Sequence, residues 1–367
     1  MYMRVLNVGD GACSVFTKPW DQKHLIVDCG ATPSGRGEES AQILSSALGT
    51  SSSAIEAVLI THFDADHWAG IKAFPSVWEE APKEVTLYYP HLLPRRVGAV
   101  QAAHLLFQAA RAGASITPVS EIIDEWRAKG VVVHPVTVSR GRKFTAAGAE
   151  WDVHWPPADV GSFRDVTRRG MESLEDEIDD LVRRHPSFRE ALYAVYEDWE
   201  AGVDRQQDVE VEFELQGDRA LKPAADVIDG LGLDDESVLR LSHRLSKYTN
   251  LLSVVHSTST VVNFGDCGGA GLNALLRLQR DATVTPRLAE SYRVVLAPHH
   301  GTHRPGATTQ SLFPGASHVL VSQNGAGHLA TALRTPKTMA FKRLVGGALG
   351  SGSGIDIHEH GHLYLSV

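Results

Sequence analysis

Over the first sixty positions, apolar residues fall in short runs broken by glycine. Residues 4–8 and 14–17 flank the turn-rich Gly9-Asp10-Gly11, and the apolar run at 24–28 ends in Cys29-Gly30. This grammar predicts a β-meander buried on one or both faces. A helix over residues 39–48 follows, with Ile43, Leu44, Ala47 and Leu48 on one stripe. Then Ala57-Val58-Leu59-Ile60 reads as a buried strand stopping at Thr61-His62. Strand, helix, strand and polar loop place residues 62–67 at the carboxyl end of a strand, where α/β architectures put their chemistry.

Between 90 and 249 the pattern becomes mostly helical. Residues 100–113 and 120–129 are amphipathic, strands are expected around 131–138 and 149–155, and 172–184 and 188–200 read as acidic helices. Val209-Glu210-Val211-Glu212-Phe213-Glu214-Leu215 alternates apolar and acidic, a pattern shared by a half-exposed strand and a loop within 206–226. Strand grammar returns at 251–256, 259–264, 292–297 and 317–322, with a closing pair expected from 354–358 and 363–367. The expected division is 1–90 as the first half of a β-rich α/β fold and 250–367 as the second. A connecting region, 91–249, carries an acidic helical insertion at about 159–245.

Charge sharpens that division. Of the chain's net −9, residues 159–249 hold 23 acidic and 12 basic side chains, a net of −11, leaving +2 for everything else. A general basic surface for nucleic acid is thereby excluded, though not a local basic groove. The composition, 43% hydrophobic and 22% charged over 367 residues, is that of a globular protein large enough for one domain with an insertion or for two domains. No stretch approaches the roughly 20 apolar residues of a membrane span. The opening residues lack a secretory-signal layout, and three cysteines are too few and too odd for a disulfide framework. A cytoplasmic location without membrane attachment is the expectation.

Thr61-His62-Phe63-Asp64-Ala65-Asp66-His67 packs four candidate ligands into six positions. Alternate residues on a loop leaving a strand project similarly, so His62, Asp64 and Asp66 can converge while His67 turns in at the next helix. Imidazole nitrogen and carboxylate oxygen suit a hydrolytic dication, which lowers the pKa of water and polarises a scissile bond. Without an ion, so many polar groups at the end of a buried strand would be poorly compensated. Two further strand ends offer partners: Gly265-Asp266 after 261–264, and Pro298-His299-His300-Gly301 after 294–297.

These segments resemble the metallo-β-lactamase superfamily, and within it the hydrolase domain of ComEC-type DNA-uptake proteins and their soluble relatives. The resemblance rests on ordered motifs over roughly the first 90 and last 120 residues. They are Leu6-Asn7-Val8-Gly9-Asp10-Gly11-Ala12, Val27-Asp28-Cys29-Gly30 and the 61–67 loop, then Asn250-Leu251-Leu252-Ser253, Gly265-Asp266, His299-His300-Gly301-Thr302 and Asn324-Gly325-Ala326-Gly327-His328. It implies an α/β fold, the αββα sandwich of that family, with the acidic insertion added. It also implies His62 and Asp64 for one metal ion and Asp66 and His67 for a second. Asp266 would bridge them, and His300 (rather than His299) would complete the set. Asn250 stands near the place where the wider superfamily has a histidine, and Asp64 where many zinc hydrolases have one. More oxygen and less nitrogen shifts preference toward Mn²⁺ without excluding Zn²⁺, so one or two divalent ions are expected.

Other candidates weigh less. Cys267 reads as a small buried residue beside a ligand, and Cys13 and Cys29 as core. His358-Glu359-His360-Gly361-His362 lacks the His-Glu-x-x-His spacing and reads as a turn. His303 and His328 are candidates for substrate contact. The remaining histidines, His104 among them, are scattered singly and carry no signal. The expected activity is a metal-dependent hydrolase, by resemblance a phosphodiesterase or nuclease acting on DNA or RNA through a metal-bound hydroxide. Asp66, His299 and His328 serve the reaction in that reading. The alternatives are a hydrolase of a small ester, lactone or cyclic nucleotide, and a non-catalytic effector docking a protein partner through residues 172–218.

Overall fold

Period-two alternation decides how the strands are used. In β3 (His24–Cys29), Leu25 and Val27 point one way and Ile26 the other. Ala57 and Leu59 oppose Val58 in β4 (Ile55–Leu59), and Val294 and Leu296 oppose Val295 in β11 (Val294–Leu296). The first set joins Met3, Phe16, Phe144, Trp151 and Val153 in a core lying between two sheets. The second set faces helices. These strands are therefore buried on both faces, which gives four layers: helix, sheet, sheet, helix.

The chain is described from a computed structural model, which describes residues 1–20, 22–31, 37–92, 96–111, 117–157, 163, 165–204, 223–281, 283–301, 319–322, 353–356 and 363–367. The first sheet adds β1 (Tyr2–Val5), β2 (Cys13–Thr17), β5 (Glu84–Pro90), β6 (Val132–Val138) and β14 (Leu363–Ser366), in the order β14-β1-β2-β3-β4-β5-β6. The second sheet holds β7 (Lys143–Ala146), β8 (Ala149–Trp155), β9 (Val255–Ser257), β10 (Val261–Asn263), β12 (Val319–Ser322) and β13 (Ser353–Asp356), with β11 between β10 and β12. The first three strands form the expected meander, and β3–β4 and β10–β11 are parallel pairs.

On the outer face of the first sheet lie α1 (Gly37–Leu48), α2 (Ala65–Ala73), α3 (Arg96–Arg111) and α4 (Pro118–Ala128). The helices α5 (Asp165–Arg184), α6 (Pro186–Asp204), α7 (Ala224–Asp229) and α8 (Asp235–Thr249) extend that layer. Leu174 and Ile178 of α5, Phe188 and Val195 of α6 and Leu245 of α8 share one cluster with Phe107 of α3. The insertion is thus packed into the helical layer, while Glu172, Asp176 and Asp179 face solvent. Among the described residues, α9 (Gly269–Arg280) covers the second sheet through Leu272 and Leu275.

Three strand expectations are corrected. The last two strands do not pair with each other: β13 runs parallel to β12 in one sheet and β14 antiparallel to β1 in the other. Each sheet has an edge to cover, and alternation along a strand does not say which edge it takes. The run at 251–256 opens as a turn of 3₁₀ helix, Asn250–Leu252, before the three-residue β9. β5 and β7, absent from the expectation, each complete a sheet. The alternating segment 209–215 lies outside the described residues. No described helix is long and apolar enough to cross a membrane.

Candidate metal centre

The site is assembled where the carboxyl ends of the two parallel pairs meet. Backbone hydrogen bonds weld those ends together: Val254 N donates to Thr61 O at 2.8 Å, and His299 N donates to Gly265 O at 2.8 Å. Ala12 N donates to Asp66 O at 3.0 Å, so the 9–12 turn buttresses the 62–67 loop from below. Gly30 must be glycine here, since a Cβ would lie 2.4 Å from Asp66 C and 2.6 Å from His67 N.

His67 is oriented by Asp28, a buried residue in the left-handed region (φ 56°) at the end of β3. Its carboxylate accepts from Thr61 N (2.7 Å), Thr61 Oγ1 (2.8 Å) and His67 Nδ1 (2.9 Å). With the Nδ1 proton committed there, the neutral ring turns the lone pair of Nε2 to the centre, the tautomer a metal ligand needs. His67 Nε2 lies 3.1 Å from His300 Nε2, 3.4 Å from Asp266 Oδ1 and 3.9 Å from Asp66 Oδ2. His300 Nε2 lies 3.3 Å from Asp66 Oδ2 and 3.5 Å from Asp266 Oδ1. His62 Nε2, 3.8 Å from Asp266 Oδ2, is buried with no hydrogen-bond partner.

Among the described residues, two three-residue groups have ligand atoms close enough to share an ion, His62–His67–Asp266 and Asp66–His67–His300. The donor set fits a divalent cation on chemical grounds as well. Burial disfavours charge on Asp66, His67, Asp266 and His300, yet Asp266 and His67 are held in their charged forms against it. The surrounding histidines hold Asp266 well below the usual carboxylate range, and Asp266, Asp28 and Asp66 hold His67 well above the usual imidazole range. His300 is likewise raised against its burial by Asp266 and Asp66. The cluster demands positive charge at its middle, and an ion supplies it without protons.

His299 and His300 are both left-handed, at φ 52° and 54°. Each such residue costs on the order of 1–2 kcal/mol, a strain that persists only where the surroundings impose it. The turn points the buried His300 into the cluster and leaves the His299 side chain 44% exposed, its Nε2 3.5 Å from Asp266 Oδ2. Ser253 secures the other downstream ligand by accepting from Asp266 N at 2.9 Å.

The structure thus brings together His62, Asp66, His67, Asp266 and His300, with His299 at the rim. Asp64 belongs to neither group. It turns toward α3 and α8, where its Oδ1 accepts from Gln108 Nε2 (2.9 Å) and Ser246 Oγ (3.1 Å) and lies 3.0 Å from His104 Nε2. Its Oδ2 lies 3.2 Å from the Asn250 side-chain nitrogen when that amide is turned to satisfy Ser246 O, and 3.7 Å from His62 Nε2. His303, His328 and residues 358–362 lie outside the described residues. Sequence reasoning assigned no role to Asp28, His104, Gln108 or Ser246. Of these, Asp28 alone left a trace, as the acidic residue of the Val27-Asp28-Cys29-Gly30 strand end. Cys267, beside Asp266, is buried with its thiol pushed up by burial and by Asp266, consistent with a core role.

Residues 7–141 match the model of the metallo-beta-lactamase superfamily. That span carries Asp28 and the 62–67 loop. Asp266 and His300 lie beyond it and join the site through the geometry above. The four-layer sandwich is the architecture that the motif resemblance implied. No curated protein matches the chain. Among solved structures, the chain is similar to the metallo-β-lactamase fold protein YhfI from Bacillus subtilis, at 8% identity and a TM-score of 0.40 over 100% of both chains. A likeness that loose carries nothing for the site.

Proposed function

We propose that the protein is a metal-dependent hydrolase whose substrate is a phosphodiester, in a nucleic acid or a smaller molecule. The observation carrying this reading is the convergence of Asp66, His67 and His300 on one point, beside His62 and the buried Asp266. These residues would hold one or two divalent ions, Zn²⁺ or Mn²⁺, and such an ion supplies Lewis acidity and a lowered pKa for water. The remaining work falls to the chain itself. Asp28 fixes the His67 ring, and the strained 299–300 turn sets His300 inward and His299 outward. His299 stands where its ring N–H can donate to a non-bridging oxygen of a bound substrate, and positioned donors of this kind stabilise charge developing in the transition state. Burial of the carboxylates keeps bulk water from screening them.

Preference for a phosphodiester over a carboxylic ester rests on the motif resemblance to the ComEC-like branch, because this ligand set serves both chemistries. The acidic insertion opposes approach of a long polyanion along its face, so substrate is expected to enter past His299, away from α5. The test is hydrolysis of DNA, RNA, a chromogenic phosphodiester and a chromogenic carboxylic ester across a divalent-metal series. Mn²⁺-stimulated phosphodiester cleavage, lost by at least about 100-fold in Asp66→Ala and Asp266→Ala, is expected. Turnover of the carboxylic ester alone contradicts the substrate class, and full activity in both variants contradicts the site.

A further inference from the structure

The two candidate ligand groups share one residue, His67, whose Nε2 faces both Asp266 and His300. A neutral imidazole nitrogen has one lone pair, and the other ring nitrogen of His67 is already committed to Asp28. Both groups therefore cannot be complete at once. If Asp66, His67 and His300 hold an ion, a second ion would be left with His62 and Asp266, and it would need a third protein donor.

Asp64 is an acidic side chain that could serve, its Oδ2 3.7 Å from His62 Nε2, but its Oδ1 is drawn to α3 and α8. Groups from three elements close on it: Gln108 of α3 and Ser246 of α8 donate to Oδ1, His104 Nε2 of α3 lies 3.0 Å from the same oxygen, and Asn250 of the 3₁₀ turn, its amide turned, donates to Oδ2. Three of these four sit on Oδ1, which has two lone pairs, so that oxygen is closed to an ion, and Oδ2 is shared with Asn250. His104 is buried, and Nε2 of its ring sits on the Asp64 carboxylate. Asn250, for its part, offers Asp64 an amide and the centre no imidazole.

We infer that the centre holds one divalent ion rather than two, and that Asp64 acts as a brace tying the 62–67 loop to α3 and α8 instead of as a ligand. The inference rests on the metal-dependent reading above and refines its stoichiometry. His104, Gln108 and Ser246 are positioning residues in this arrangement, acting through Asp64. Through Ser246, α8 at the end of the connecting region takes part in the metal site.

The experiment counts ions on the full chain. Protein stripped with a chelator is titrated with Mn²⁺, and separately with Zn²⁺, by native mass spectrometry and calorimetry, for wild type, Asp64→Asn and His67→Ala. A plateau at one ion per chain is expected. Asp64→Asn should keep that ion within about tenfold of wild-type affinity, whereas His67→Ala should lose at least about 100-fold. Two ions in the wild type overturn the inference, and that count needs no variant to fold. A loss in Asp64→Asn as steep as in His67→Ala overturns it too. One ion without hydrolysis leaves the inference standing and contradicts the proposed function, and no ion at all contradicts both.

Discussion

Asp28 touches nothing at the middle of the cluster, yet it decides which nitrogen of His67 faces inward, and it does so from a left-handed backbone position buried beneath the loop. Groups that orient a ligating histidine typically account for 10–100-fold in metal affinity. Asp28→Asn is therefore expected to weaken Mn²⁺ or Zn²⁺ binding by about 10–100-fold, measured by competition with a chromophoric chelator. Unchanged affinity would mean that the tautomer is set by something else. The site was readable at this scale in the 62–67 loop and at two strand ends, Asp266 and His299-His300, where polar residues close an apolar run. His62, Asp66 and His67 declare themselves within one loop. His104 and Gln108 lie on α3 and look like ordinary helix residues, because a polar side chain buried against a distant carboxylate has no local periodicity. Nothing near position 64 indicates that its carboxylate faces α8 either, since Ser246 is 182 residues away.

At the scale of elements, the metal loop is held by close backbone contact as much as by side chains. Gly30 lies against the start of α2 with no space for a methyl group, and all the atoms it would strike are backbone. Gly30→Ala must then push α2 away from β3. A loss of roughly 2 kcal/mol or more in unfolding free energy is expected, with weaker metal binding, since overpacking of this kind costs about 1–3 kcal/mol or more. Chemical denaturation and metal titration of the same variant check both halves, and a variant with wild-type stability and metal affinity would show that the contact is looser than described. The strands nearest the site were legible because β3 and β4 are continuous apolar runs, as parallel strands buried on both faces should be. Near the C-terminus the pattern was equally visible but ambiguous. Alternation identified β13 and β14 as strands, and only packing assigns them to different sheets.

Across the whole molecule, three buried histidines outside the cluster set an acid limit. Burial holds His24 and His256 near about 4 and His154 near about 3, against a usual 6.5. Each folds as the neutral ring, so the unfolded chain takes up protons that the folded chain refuses. Their contribution is intact above about pH 6.5 and is lost as the pH falls toward 4, at up to about 1.4 kcal/mol per pH unit for each ring. His154→Gln keeps a donor for Ser257, the ring's partner at 2.8 Å. Relative to wild type, this variant should gain about 2–3 kcal/mol on moving from pH 7 to pH 4.5, read from urea unfolding at the two pH values. A gap that does not change with pH would show that the ring titrates normally. The larger claim is that residues from both sheets close around a cation at their common rim. Crystals of the chain grown with Mn²⁺ or Zn²⁺ test it most directly through anomalous diffraction. A peak about 2.0–2.3 Å from His67 Nε2, His300 Nε2 and a carboxylate oxygen of Asp66 is expected. Full occupancy elsewhere, with none at His67, would contradict it.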